Sequence, residues 1–573
     1  MKLDAIPTEL IHNIADFLHL QSQVNALARS SRRLYSILDP CLYRHNAKFS
    51  HSDALAWAAK TGSVETAKKA LEYGADPNAS QDVKFGALRW AVTQGHLHIV
   101  ELLIQHGATF GDSMLMGTAA AHGFDEIARL LLDKGADPNA LGYLGKTPLL
   151  FAAQQGNEST FELLLEWGAD PFAKCAAGSS ALFHAVDGGS IKILGELLDL
   201  GVDMLQTDYE SRIAQSRAAE MGRLDAVRLF TQRGVDIDHP DMEGRTALSW
   251  AARKGHCELV RYLLKRGASV HAADIWGHTP AMHAAMTGMT PIVEMMLDAG
   301  ADLESRAGDK RTMLSWAAIN GHSGTTRLLI DRGANLETLD KDGRTPLVLV
   351  ANAGSEPIAR LLIDKGANVN SHFGWGSPLS LAAARGHTVM VDTLLRAGAF
   401  IEFPTKRRWT PLFHAAVTQK HAVVDVLLDH GANLEARDDD GKTPLYWTVM
   451  QAGGDMFDHL VRRGARVDIK DSYGRTLLME ASGYGHGKHI EYLAESGLDI
   501  NERDDCGMTP LHHAVFYDAR ASFLQLLEYG ADPELRDNLG LSVFERARIQ
   551  GNGDALVEAV QRCMDRPMKR RRL

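Results

Sequence analysis

Between residues 54 and 539 the chain repeats one arrangement of apolar and polar positions. The unit Asp438–Ala465, "DDDGKTPLYWTVMQAGGDMFDHLVRRGA", shows its logic. An Asp-x-x-Gly turn opens it, with Gly441 supplying backbone angles that other residues resist. Thr443 stands where a helix needs an N-cap, and Pro444 at the first helical position loses nothing by lacking an N–H. This first helix is expected to end at Gly453–Gly454. A second helix buries Phe457, Leu460 and Val461 at helical spacing and stops at the C-cap glycine Gly464.

The frame recurs along the chain. Counted on the C-cap glycine from Gly74 to Gly530, twelve of the fourteen intervals are 33 residues, one is 32 and one is 28. The turn returns at Asp241, Asp274, Asp340, Asp471, Asp504 and Asp537, and Thr-Pro at Thr147, Thr279, Thr345, Thr410 and Thr509. A helical hairpin this small cannot bury its apolar side alone, so each unit has to stack on its neighbours.

With "TPLLFAA", "TPLFHAA" and "TPLHHAV" in register at this period, the array resembles the ankyrin-repeat family. The resemblance implies an all-α fold, an α-solenoid with short β-turn fingers and about 15–16 units. It further implies a curved stack, on the order of 140 Å long at ordinary helix spacing. The fingers and first helices would line its concave, protein-binding face. The expected organisation is a helical headpiece at 1–45, a short linker at 46–53, the array at 54–539, a capping repeat at 540–563 and a basic tail at 564–573.

Several units depart from the rule. The 28-residue interval, Gly107–Gly135, loses the finger before Ser113. The unit Gly201–Gly234 reads "ESRIAQSRAAEMG" where Thr-Pro-Leu belongs, a pattern of drift or of a kink. Two fingers carry unusual tips: Phe373 and Trp375 in "HFGWGSPL", and Lys406, Arg407, Arg408 and Trp409 in "TKRRWTPL". With Trp276 at another tip, Phe373, Trp375, Arg407, Arg408 and Trp409 are the candidate target-binding residues, because exposed aromatics and arginines make binding hot spots. Packing of these side chains on adjacent fingers is the alternative. Trp57, Trp90, Trp250, Trp316 and Trp447 share one register, which reads as packing more than as a binding stripe.

Composition narrows the function. The net charge is −11, yet residues 1–50 carry +2 and residues 562–573 carry +5, which leaves −18 for the middle. An acidic middle argues against nucleic-acid binding, and the absence of a long apolar run argues against a membrane partner. The five cysteines form no CxxC pair and the start has no apolar signal core, as expected of an intracellular chain. The "GKT" strings at Gly145 and Gly441 have Ala140 and Ala436 where a phosphate loop needs glycine. His96, His256, His322, His387 and His486 follow the inter-helix glycine, and His184, His283, His414 and His512 follow a first-helix apolar residue. Recurrence at the period means scaffold. No catalytic constellation is legible, so no active site, metal or cofactor is expected. The basic end, Lys569, Arg570, Arg571 and Arg572, is either a solvated tail or a nuclear-import signal, which gives a cytoplasmic or nuclear address.

The headpiece escapes the period. Leu10, Ile14 and Leu18 fall every fourth residue, and Val24, Leu27, Leu34 and Leu38 continue an apolar stripe to Pro40. So small a segment needs a partner surface, either the first repeat or another protein. "AIPTELIHNIADFLHLQSQVNALARSSRRLYSILDPCLY" is similar to an F-box. That resemblance implies docking on a Skp-type adaptor, and through it on a cullin ubiquitin ligase, by Pro7, Leu10, Ile14, Leu18, Leu27 and Ala28. The expectation is therefore a monomeric substrate receptor within a hetero-complex, gripping an unidentified protein with its repeats. The alternative is a plain ankyrin scaffold whose headpiece only caps the first repeat.

Overall fold

A computed structural model describes Tyr43 and residues 53–79, 86–110, 113–208, 210, 212–374, 376–451 and 455–549. Among these residues there are 31 α-helices and no strand, only isolated bridges such as Lys174 with Ser180 and Lys470 with Thr476. None of these helices is long and apolar enough to cross a membrane. The helices fall into two units that divide after Ile275.

The first unit starts at the helix Asp53–Thr61 and ends with Cys257–Lys265. Helices come in antiparallel pairs, for example Pro148–Gln155 with Glu158–Glu166. Thr147 caps the first of these by accepting from Leu150 N–H at 3.4 Å, with Pro148 at the first turn. Gly156 then takes a left-handed φ of 74° to turn the chain. Leu149, Leu150, Ala152, Phe161 and Leu164 are buried where the pair meets its neighbours. The unit with the short interval still forms both helices, Met114–His122 and Asp125–Asp133.

The aberrant unit Gly201–Gly234 is also fully helical, at Ala214–Glu220 and Leu224–Gln232. Ile213, Ala214 and Gln215 stand where Thr-Pro-Leu belongs, and a buried ion network lies beside them. The Arg212 side chain, 4% exposed, reaches Asp208 at 2.8 Å and Glu220 at 2.6 Å. Arg217 bridges Glu220 and Asp187, and Lys254 joins Glu220 at 3.2 Å. The Arg212–Asp208 pair is shared with Arg344–Asp340 and Arg475–Asp471; what sets this repeat apart is Glu220, which gathers Arg212, Arg217 and Lys254.

The second unit runs from Trp276 to the helix Val543–Ile549 and shares one continuous core through the later repeats. In the reference repeat Thr443 caps as expected, but the first helix ends at Val449, and Gly453 and Gly454 lie outside the described residues. Met456, Phe457 and Leu460 are the buried residues of its second helix, whereas Val461 is half-buried. At the C-terminal end Val543 and Ala547 are buried against the preceding repeat, while Arg546 closes on Asp537.

The inter-helix glycines have a second cause besides their positive φ. A Cβ on Gly222 would lie 2.5 Å from the His256 ring of the following repeat, whose Nε2–H donates to Glu220 O at 2.8 Å. In the second unit Gly288 stands likewise against His322, and Gly354 against His387. These histidines join successive repeats.

Candidate protein-interaction surface

The fingers are built by their first residue. Asp438 Oδ1 accepts the backbone N–H of Asp440 and Lys442, and Asp241, Asp340, Asp471, Asp504 and Asp537 repeat this within their own units. A carboxylate that accepts two N–H groups fixes the turn and satisfies donors that burial would otherwise strand. In the units of Asp241, Asp438 and Asp504 the second oxygen, Oδ2, takes a donor from the first helix nine residues on, whereas Asp340 and Asp471 take Arg344 and Arg475. Trp250 Nε1 meets Asp241 at 2.9 Å, Trp447 Nε1 meets Asp438 at 2.7 Å and His513 Nε2 meets Asp504 at 2.8 Å. Where the finger begins with another residue, the donor is orphaned. His184 follows Cys175, Trp316 follows Ala307 and His414 follows Thr405, and each has a buried ring nitrogen with no acceptor among the described residues.

Electrostatics follow this pairing. Burial alone would raise Asp504, but His513 and the backbone N–H of Met508 hold its carboxyl below the ordinary range. Asp340 is likewise lowered against its burial by the Arg344 backbone and guanidinium. His184, buried, and His414, half-buried, find no acceptor among the described residues, and burial pushes both down to about 4. They are neutral at physiological pH. Tyr446, buried between Asp471 and Glu480, is held protonated by burial first and then by these two acids. The register histidine of the last such repeat is His513, not His512, which faces Leu541 O instead.

This frame sorts the candidate residues. The cation one residue before the helix cap stacks on the first-helix ring: Arg245 lies 4.9 Å from Trp250 and Arg311 lies 4.8 Å from Trp316. Trp409 occupies that stem position. It is half-buried, stacked 5.9 Å from Phe413 and set edge-on to His414 and Trp447, so it packs within the scaffold. Arg407 and Arg408 are exposed at the tip, and among the described residues neither guanidinium forms an ion pair. Arg408 stands in the turn-glycine position with a left-handed φ of 58°. Phe373 is half-buried in a tight turn closed by paired backbone bonds with Gly376, and Gly374 abuts the Lys406 side chain. Trp276 is exposed at its own tip, where its carbonyl accepts from Gly308 N–H. Trp375 lies outside the described residues, as do Pro7, Leu10, Ile14, Leu18, Leu27, Ala28 and the tail Lys569–Arg572.

Of the tryptophan register, Trp250 is buried, Trp90, Trp316 and Trp447 are half-buried and Trp57 is exposed. Bonds from Trp250 and Trp447 to their own fingers make this a packing register.

The structure adds a patch that the sequence reading passed over. Tyr484, Phe516 and Tyr517 end two successive first helices, and all are exposed. Tyr484 stacks on Tyr517 at 6.4 Å, and Phe516 meets Tyr517 edge-on at 5.0 Å. Other repeats put Gln155, Lys254 or Arg385 at the Tyr484 position, so two aromatics in succession were the available signal.

A family model for ankyrin repeats in several copies matches overlapping segments from residue 30 to residue 537. The chain is also 37% identical to rat cyclin-dependent kinase 4 inhibitor B over 114 residues, which covers 86% of that protein and 18% of this chain. A B-cell lymphoma 3 protein homolog from mouse is 37% identical over 106 residues, 17% of this chain and 23% of that protein's length.

Proposed function

Because the chain belongs to the ankyrin-repeat family, we propose that it is a non-catalytic scaffold that binds other proteins through its finger tips and first-helix ends. One observation carries this reading. The buried carboxylates Asp241, Asp438 and Asp504 are spent on holding fingers to helices, whereas the exposed aromatics and cations collect where no such duty exists. Tyr484, Phe516 and Tyr517 offer rigid amphipathic area, and Arg407 with Arg408 offers charge, the residue types on which binding energy concentrates. The likeness to an inhibitor named for a kinase fits binding to a protein without chemistry on it.

The test is proximity labelling with the full-length chain and two variants, Tyr484→Ser/Tyr517→Ser and Arg407→Glu/Arg408→Glu. Partners of the wild type should drop out with at least one variant. An unchanged partner set in both would refute these surfaces as the binding face.

A second, finer reading is favoured by the Ile6-Pro7, Glu9-Leu10, Ile14, Leu18 and Leu27-Ala28 pattern. On it the scaffold is the substrate-recognition subunit of a Skp–cullin–F-box type ligase, placing a target beside the conjugating enzyme by proximity. Capture of a Skp-type adaptor by the full chain, lost in Leu10→Asp/Ile14→Asp, would establish it. No capture by the wild type leaves the plain scaffold. The address proposed is cytoplasmic or nuclear, and deletion of Lys569–Arg572 from a fluorescent fusion reads out whether the tail directs import.

A further inference from the structure

The loop after each second helix usually carries a polar residue four positions beyond the C-cap glycine, and its side chain ties that repeat to the next. Asn78 donates to Gly107 O at 3.0 Å and accepts from Thr109 N–H at 2.7 Å. Asn139 does the same with Gly168 O at 3.1 Å and Asp170 N–H at 2.8 Å. In the second unit Glu304, Glu337, Glu402 and Glu435 accept the corresponding N–H. Two consecutive repeats of the first unit break the rule with Phe172 and Leu205. From Asn78 to Glu534 no other repeat has a large apolar residue at this position.

Phe172 is 56% exposed and Leu205 47%. The residues that end the preceding second helices, Trp167 and Leu200, are 41% and 46% exposed. Each pair is spaced by 33 residues, so Trp167 with Leu200 and Phe172 with Leu205 mark two registers in successive repeats. Asn139, bonded to Gly168, shows where the loop register sets its side chain: Phe172 stands beside Gly201 and therefore beside Leu200. An open N–H is not the signal, because the polar Asp468 leaves Asp499 N–H without an acceptor among the described residues as well. The signal is four large apolar side chains in water on one edge of two repeats, where single ones would be ordinary. Their rim is acidic. Glu166, Asp170 and Asp203 are exposed and form no ion pair among the described residues, Asp199 is taken by Arg233, and Lys174 is the one cation in the two loops.

We propose that this edge docks an amphipathic helix of a partner protein whose apolar face is flanked by Lys and Arg. Packed repeats are spaced by about 8–10 Å, and residues i and i+7 of a helix lie about 10.5 Å apart on one face. A helix laid along the stack therefore sets one apolar side chain between Trp167 and Phe172 and the next between Leu200 and Leu205. Its Lys and Arg side chains meet Glu166, Asp170 and Asp203, a complementarity that fixes direction and rejects acidic partners. The same carboxylates repel the anionic surface of a membrane. None of these residues belongs to the finger tips or first-helix ends, so this is a second surface beside the one proposed above.

Short helical peptides displayed on phage are selected against the full-length chain, and enriched peptides are then measured on wild type and variants. Phe172→Asn/Leu205→Asn installs the residue that Asn139 carries, which keeps the loop and removes one apolar row. Glu166→Gln/Asp203→Asn removes two rim charges and keeps the bond to Leu205 N–H. The expected peptides carry Leu, Ile or Phe at i and i+7 among Lys and Arg. Their affinity should fall about tenfold or more in Phe172→Asn/Leu205→Asn, severalfold in the charge variant, and not at all in Tyr484→Ser/Tyr517→Ser. No enrichment, enriched peptides rich in Asp and Glu, or binding that survives Phe172→Asn/Leu205→Asn overturns the proposal. Self-association of the wild type that this variant abolishes in sedimentation assigns the edge to a second copy. Binding to phosphatidylserine vesicles that it abolishes assigns the edge to a membrane; either result also overturns a partner helix. A melting point of Phe172→Asn/Leu205→Asn at or above wild type excludes misfolding as the cause, and if it falls below, the charge variant decides. Failure here with the proximity-labelling result intact leaves the finger-tip reading standing.

Discussion

Replacing Arg212 by Ala should open one repeat of the first unit before the rest. The guanidinium is almost fully buried and donates to Asp208 at 2.8 and 3.0 Å and to Glu220 at 2.6 Å. Its contact with Glu210, which is 47% exposed, is screened by solvent and adds little. Removing one member of a buried pair costs about 3–5 kcal/mol, mostly the desolvation of the charge left behind. Glu220 keeps Arg217 and Lys254, and Asp208 keeps two backbone donors, so the low end, about 3 kcal/mol, is expected. The repeat has little else to spare. Gln215 and Ser216 are buried in its first helix with side-chain atoms unpartnered. Because each repeat is coupled mainly to its neighbours, the loss should show as local opening. Amide exchange in Ala214–Glu220 and Leu224–Gln232 should accelerate roughly 100-fold, with far less change at Pro148–Gln155. Burial raises Glu220, but Lys254 and Arg212 more than offset it, so its carboxyl is lowered. Its stabilisation is therefore present above the ordinary carboxylate range and fades as pH falls through the lowered value. Arg212→Ala should move that fading to higher pH. The reasoning fails if Arg212→Ala exchanges like wild type, or if Asp208→Asn/Arg212→Met/Glu220→Gln is no more stable than Arg212→Ala.

Gly288→Ala should cost well over the ~1–2 kcal/mol of a left-handed alanine, because its Cβ would meet His322 at 2.5 Å, whereas Gly321→Ala, with open space around it, should cost only the backbone term. Denaturant midpoints compare the two, and equal costs would refute the His-over-Gly packing. His184 is pushed down to about 4, so the unfolded chain binds its proton first and stability falls as pH drops from 6.5 toward 4. His184→Phe should remove roughly 3 kcal/mol of that decline, read from unfolding at several pH values. Thr405→Asp gives His414 the carboxylate its register lacks, so the imidazole should titrate well above its present value of about 4 in proton NMR. Arg408→Gly should stabilise the chain by about 1 kcal/mol in urea unfolding by relieving the positive φ, while weakening any partner held by that tip.

The period, the Thr-Pro caps and the Asp turns were legible because each is a local device. Thr443 caps its helix by reaching only three residues on, to Tyr446 N–H, and Gly156 turns the chain where it stands. The pairing of Asp438 with Trp447, or of Asp504 with His513, joins a turn to a helix and becomes visible only when the two are folded together. The same holds for Gly222 and His256, 34 residues apart, each of which looked like an independent repeat residue. Trp409 misled for a related reason. An aromatic next to Arg407 and Arg408 reads as a tip residue, but its stem position turns it onto Phe413 and Trp447. The aberrant repeat read as decay because losing Thr-Pro-Leu removes the familiar signal, while Asp187, Arg212 and Glu220 lie too far apart in sequence to look like a network.

These couplings separate what the fold has taken from what it leaves free. The first finger residue, the stem cation and the first-helix ring hold one another, so a change at any of them is felt by the other two. The next ladder, from finger to finger, is made by backbone atoms: Asp439 N–H to Arg407 O, Ser472 N–H to Asp440 O and Asp505 N–H to Tyr473 O. It constrains no side chain. The tips can therefore carry Arg407, Asp440, Tyr473 or Cys506 without disturbing the stack, and the first-helix ends can carry Gln155 or Tyr484 as freely. Freedom from structural duty is what makes these positions able to specify a partner. It is also why the partner's identity is not written in them as a readable code, since the only pressure on each is its fit to something outside the chain.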